Sequence, residues 1–166
     1  MTITRGYAVH APSQRFQPFT FERRALRDDD VAIRIEHCGI CHTDVPLARD
    51  DWGFSQFPMV PGHEITGIVT AVGAQVISFA PGDRVGVGCY VDSCTTLPTR
   101  DSDREQYRPG LVLTYNGSER DSDLPTYGGY AESIVANADY VVAIPASDVR
   151  YRFVLDVGAH FAQRGI

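Results

Sequence analysis

Two short stretches hold the groups best suited to chemistry in this 166-residue chain: Cys38-Gly-Ile-Cys41-His42-Thr43-Asp44 and Pro61-Gly62-His63-Glu64. A soft sulfur, an imidazole and a carboxylate brought to one point can hold a metal ion, and neighbouring hydroxyl and carboxylate groups can move its protons. Cys41 and His63, with Glu64, are the candidate ligands. Taken singly, each has a plainer reading. A cysteine in an apolar setting is usually a small buried hydrophobe, and a lone histidine is usually a hydrogen-bonded structural residue. Their company favours the metal. The Pro61-Gly62 turn can present His63 rigidly, Asp44 suits an imidazole-fixing acceptor, and Thr43 supplies a hydroxyl beside the site.

Cys38-Gly-Ile-Cys41-His42 also fits the Cys-x-x-Cys-His pattern of covalent haem attachment. The N-terminus lacks the apolar core of an export signal, and only Met1 and Met59 could serve as axial methionines, so haem is the weaker reading. A thioredoxin-like dithiol belongs to a βαβ context that the pattern does not offer.

The rest of the chain must position these groups. Apolar content of 43% and charged content of 22% fit one globular domain spanning 1–166. A net charge of −6 with interspersed signs argues against nucleic acid or an anionic membrane, and no apolar run has spanning length. A cytoplasmic location is the default expectation, with the four cysteines as thiols or ligands. Asp30–Glu36 alternates, with Val31, Ile33 and Ile35 on one face. Ile65–Val72 is β-rich on both faces, which predicts a central strand. Pro81-Gly82-Asp83 predicts a type II turn leading into Arg84–Gly88. Tyr130–Val135 and Tyr140–Ile144 are expected to pair with each other, and Tyr151–Val157 is expected to close the series. Only His42–Asp50 reads as helical, with Pro46 tolerable in its first turn. From Asp92 to Pro125 the pattern lapses, and 101–105 and 118–123 read as polar loops. Short strands with frequent turns and little helix predict an all-β barrel or sandwich.

Four motifs carry a resemblance. Gly39-Ile-Cys-His-Thr-Asp44, Val60-Pro-Gly-His-Glu64, Gly82-Asp-Arg-Val-Gly-Val-Gly88 and Tyr127-Gly-Gly-Tyr-Ala131 resemble zinc-dependent medium-chain alcohol dehydrogenases, above all the cinnamyl-alcohol-dehydrogenase-like branch. The likeness runs from about Arg5 to Pro145, with Tyr151–Val157 beyond it. It implies a GroES-like, partly open β-barrel with short helices. It implies NADP-dependent interconversion of an aldehyde and a primary alcohol. By the same resemblance Cys41 and His63 are two catalytic Zn2+ ligands, Glu64 is a carboxylate able to join them, and Asp44 is the hydrogen-bond partner of His63. Thr43 relays the alcohol proton, His42 contacts the cofactor diphosphate, and Trp52 and Tyr90 line the substrate pocket; the plain alternative for those two is barrel packing.

The sequence also departs from that family. No Gly-x-Gly-x-x-Gly fingerprint is present. Near 145–150, where the family inserts its nucleotide-binding domain with a third zinc-ligand cysteine, the chain runs straight into Tyr151–Val157. In the 92–125 loop the resemblance puts four structural-zinc cysteines at Cys94, Leu97, Arg100 and Arg108. One sulfur cannot close a tetrahedral site, so no metal is expected there and the loop is expected to be held by packing or salt bridges, or to be mobile. The expectation is a truncated or engineered catalytic domain, or a natural fragment, that binds Zn2+, holds NADP poorly and transfers hydride inefficiently alone. The alternatives are a zinc-hydroxide hydrolase, or a non-enzymatic module that self-associates through the face a further domain would cover.

Overall fold

The computed structural model describes residues 2–93 and 110–145. In chain order these form β1 (Thr2–Ala8), β2 (Gln17–Arg23), β3 (Asp30–Cys38), α1 (Asp44–Arg49), β4 (Ile65–Val72), β5 (Arg84–Val87), β6 (Tyr90–Asp92), β7 (Val112–Leu113), β8 (Ser133–Asn137) and β9 (Val141–Ala143). The all-β expectation holds. Cys94, Leu97, Arg100, Arg108, the 145–150 junction beyond Pro145 and the Tyr151–Val157 strand lie outside the described residues. Among the described residues no helix is long and apolar enough to cross a membrane.

β8, β3, β4, β5 and β9 form one antiparallel sheet in that order. The expected pairing of Tyr130–Val135 with Tyr140–Ile144 is therefore corrected: β8 pairs with β3 and β9 with β5, at opposite edges. Only the 3-10 turn Ala138–Tyr140 separates those edges. Crossing a flat sheet of this order takes four inter-strand gaps, about 19 Å. The chain from Asn137 to Val141 reaches at most about 15 Å. The sheet must curl until its edges approach, which makes it a partly open barrel. Inside the curl lie Val31, Ile33, Ile65, Val69, Val85, Val87, Ile134, Ala136 and Val141. Each fully buried aliphatic side chain there contributes about 1.5–3 kcal/mol.

β4 is central, as expected, and Ala80 to Asp83 closes as a turn, with Asp83 N–H donating to Ala80 O at 3.1 Å and Gly82 at φ +100°. The β1–β2 hairpin packs Ala8 and Phe21 with Val60 as a separate cluster.

The 118–123 stretch is a polar loop, as expected, with Ser118, Asp121, Ser122 and Asp123 exposed, but Glu119 and Arg120 in it are half-buried. Glu119 bonds Arg24 at 2.8 Å, and Arg120 bonds Asp92 at 3.1 Å. Asp92, fully buried, also takes Arg27 at 2.6 Å, and Arg24 pairs with buried Asp30. These ion pairs clamp β6 and the 110–127 segment onto the turn before β3, at the root of the excursion between β6 and β7.

Candidate metal centre

The β3–β4 register brings the two chemical stretches together. Cys38 pairs with Ile65, and Gly39 N–H donates to Glu64 O at 2.8 Å, one step further. Extending that antiparallel ladder sets Cys41 beside the Gly62-His63 segment. A register shift between Ile35 and His37 bends β3 just before the site.

The 60–62 segment is held on its other side by 128–130. Val60, Pro61 and Gly62 carbonyls accept N–H groups from Gly128, Tyr130 and Gly129 at 2.7, 2.9 and 2.8 Å. The approach is close enough that a Cβ on Gly128 would lie 2.4 Å from Gly62 O. Arg23 secures that strap: Nε donates to Ser133 O and Nη2 to Gly128 O, both at 2.9 Å, and Nη1 donates to Tyr127 O.

As a result Cys41, His63 and Glu64 each offer a ligand atom, and these atoms all lie within 4.8 Å of one another. All three are half-buried. The centre of three atoms at that separation is at most about 2.8 Å from each, so a shift of about half an ångström reaches zinc bond lengths of about 2.0–2.3 Å. A thiol, an imidazole and a carboxylate also match the donors zinc takes. The three residues fit the ion.

The Asp44 carboxylate lies between the turn that carries Cys41 and the turn before His63. Among the described residues it makes no hydrogen bond to His63. It is buried, and its carboxylate accepts the N–H groups of Cys41 and Gly62 at 3.0 and 3.2 Å and the hydroxyls of Tyr115 and Tyr130 at 2.6 and 2.8 Å. The local reason is α1: Asp44 is its first residue and points back at the turn that carries Cys41. Burial, then the bond to Asp44, raises both tyrosine hydroxyls above their ordinary range. Sequence reasoning missed both tyrosines; a buried aspartate beside a helix start was the available signal, since such a group must be hydrogen-bonded.

Thr43 stands at the N-cap position of α1 without a side-chain capping bond, and its Oγ1 lies 3.5 Å from Cys41 Sγ. His42 is exposed one residue earlier. Trp52 is 52% exposed and stacks on Phe54 at 5.8 Å, so it is not barrel packing. Tyr90 sits half-buried on β6.

A family model described as the alcohol dehydrogenase GroES-like domain matches residues 27–146. The chain belongs to this family. The GroES-like domain is 42% identical over 161 residues to cinnamyl alcohol dehydrogenase 2 of Rauvolfia serpentina, covering 97% of this chain and 43% of that relative. Among solved structures it is similar to a cinnamyl alcohol dehydrogenase of Sorghum bicolor, at 37% identity and TM-score 0.88 over 99% of this chain and 48% of that one. It is also similar to the Helicobacter pylori enzyme complexed with NADP(H), at 35% identity and TM-score 0.82 over 89% of this chain and 43% of that one. The chain thus spans less than half the length of these relatives.

Cys38, by contrast with Cys41, is a packed thiol of the GroES-like domain. A Cβ on Gly62 or on Gly129 would meet its Sγ at 2.6 Å. Burial pushes this thiol from an ordinary 9.0 up to about 12. A group raised in the folded state stabilises the fold in its protonated form, fully below its unfolded value and progressively less as pH climbs to the folded one. Tyr130 acts in the same direction from about pH 10 upward. Stability is therefore expected to fall between about pH 9 and pH 12. Urea midpoints measured at stepped pH check this; a flat profile contradicts it. Brief alkylation at pH 8 with mass spectrometry should modify exposed Cys89 and leave Cys38 untouched.

Proposed function

We propose that this chain is the zinc-binding catalytic domain of an NADP-dependent alcohol dehydrogenase acting on small aldehydes and primary alcohols. The observation that carries this reading is the convergence of Cys41, His63 and Glu64 within 4.8 Å. The names of the relatives, and NADP(H) in the Helicobacter pylori structure, support the substrate class and the cofactor.

Zinc bound by these residues supplies Lewis acidity, lowering the pKa of an alcohol or polarising a carbonyl. The chain's own groups do the rest. Cys41, as thiolate, offsets part of the ion's charge, and His63 adds a neutral donor. Glu64 completes the donor set or yields its place to substrate. Thr43 takes the alcohol proton at Oγ1, and exposed His42 is placed to receive it or to meet a cofactor phosphate. The stacked faces of Trp52 and Phe54 suit a flat, apolar substrate. No dinucleotide fingerprint lies in these 166 residues. Assayed as this polypeptide, the chain is expected to transfer hydride slowly at most, because no such fingerprint is there to orient a nicotinamide.

Zinc titration followed by metal analysis tests the reading. One tightly held zinc per chain is expected, lost in Cys41→Ser and in His63→Ala. Binding that survives both substitutions rejects it.

A further inference from the structure

Asn116-Gly117 is the only Asn-Gly step in the 166-residue chain. Without a Cβ on the second residue, the peptide nitrogen is open to attack the preceding side-chain amide. The Gly117 nitrogen gives its proton to water and bonds to Asn116 Cγ. The Cγ–Nδ2 bond breaks and ammonia leaves. Water then opens the five-membered imide at either carbonyl, which returns aspartate or isoaspartate. No oxidant or reductant takes part.

The fold holds both reacting groups. Asn116 is 8% exposed and sits at φ +58°, a left-handed conformation that asparagine tolerates. Its Oδ1 accepts the Gln56 N–H at 2.7 Å. Gly117 N–H donates to Thr126 Oγ1 at 3.1 Å, and Thr126 N–H donates back to Gly117 O at 2.9 Å. The first bond aims the side-chain amide at the 51–57 loop. The second keeps the proton on the nitrogen that would attack. Ring closure needs both released. Gly117 is half-buried and Ser118 is exposed, so water reaches the step once it opens.

The Gln56 bond also ties down the loop that carries Trp52 and Phe54. Upstream, Gly53 N–H donates to Asp50 O at 3.1 Å and Ser55 N–H to Asp50 Oδ1 at 2.9 Å. Asn116 supplies the tie at the other end. Aspartate would keep an acceptor of the same reach. Isoaspartate would not, because the backbone then runs through Cβ and the carboxylate left on Cα is one carbon shorter.

We propose that Asn116 is a deamidation site latched by Gln56 and Thr126, and that its conversion to isoaspartate releases the loop bearing Trp52 and Phe54. The site is independent of any metal.

Peptide mapping of the chain held at mildly alkaline pH tests the latch, with isoaspartate measured by enzymatic methylation. Conversion at Asn116 is expected at least about tenfold slower in the folded chain than in the same chain in urea, because it waits on local opening. Thr126→Val keeps the side-chain shape but removes the acceptor, and should convert at least about threefold faster than wild type. Thr126→Ser keeps a hydroxyl and should convert like wild type. Near-ultraviolet circular dichroism confirms the fold of both variants. Trp52 is the chain's single tryptophan, so its fluorescence anisotropy reads the loop directly. The deamidated fraction, separated by ion exchange, should show lower anisotropy than wild type and than Asn116→Asp. Conversion as fast in the folded chain as in urea, or no faster in Thr126→Val than in Thr126→Ser, overturns the latch. Wild-type anisotropy in the deamidated fraction overturns the release of the loop.

Discussion

Asp44→Ala is expected to lower stability by about 4 kcal/mol and to weaken zinc binding by at least about tenfold. The substitution strips one acceptor from four donors: two backbone N–H groups and two tyrosine hydroxyls. A buried donor left unpaired costs about 1–3 kcal/mol, and water entering the small cavity would recover part of the sum. For a chain of this length that corresponds to a fall of about 10 °C in melting midpoint. Asp44→Asn should fall between, because its amide nitrogen cannot accept from the two donors that met one carboxylate oxygen. Thermal melts with zinc stoichiometry on the same samples check both effects. A melt and a zinc content like those of wild type would make the carboxylate a bystander.

Arg23→Met is expected to cost about 3 kcal/mol and to loosen the site from a distance. Arg23 is buried, lies 4.7 Å over the Phe21 ring and gives three hydrogen bonds to the carbonyls of Tyr127, Gly128 and Ser133. Bonds from a charged donor contribute about 1.5–3 kcal/mol each, but the gain is reduced by the cost of burying the cation. Methionine keeps the apolar stem and removes the bonds together with the charge that lies over the Phe21 ring. The freed 127–131 strap carries Tyr130 and backs the Pro61-Gly62 turn, so zinc affinity should fall as well. Urea unfolding should show the midpoint lowered by about 1–2 M. Hydrogen exchange should speed up at Gly128, Gly129 and Tyr130. An unchanged midpoint would show that the strap is held by its own backbone ladder.

Local physics made part of this molecule readable in the sequence. Val31 and Ile33 alternate with exposed Arg34 because one face of β3 is buried, and Ile65–Val72 is β-rich on both faces because β4 is central. Pro81 and Gly82 announce a turn by their backbone limits alone. The short α1, Asp44–Arg49, lies within the expected His42–Asp50, with Pro46 in its first turn. The grouping of Cys41, His63 and Glu64 was legible from their types and motif company.

What stayed hidden depends on closure and burial. β8 and β9 look like a hairpin in sequence because only three residues part them, whereas curling of the sheet sends them to opposite edges. Arg23, Arg24, Arg27 and Arg120 carry no sequence signal of burial, yet they sit on buried carbonyls and carboxylates. Asp44 pointed to His63 by resemblance. Its bonds to Tyr115 and Tyr130 carried no sequence signal, because these residues come from segments far along the chain and meet it only after the barrel closes.

The central claim is that one zinc sits among Cys41, His63 and Glu64. Crystals of the zinc-loaded chain, with diffraction measured on either side of the zinc absorption edge, test it most directly. The expected result is a single strong anomalous peak within bonding distance of Cys41 Sγ and the His63 ring. Zinc bound elsewhere, with no peak between those side chains, would contradict it.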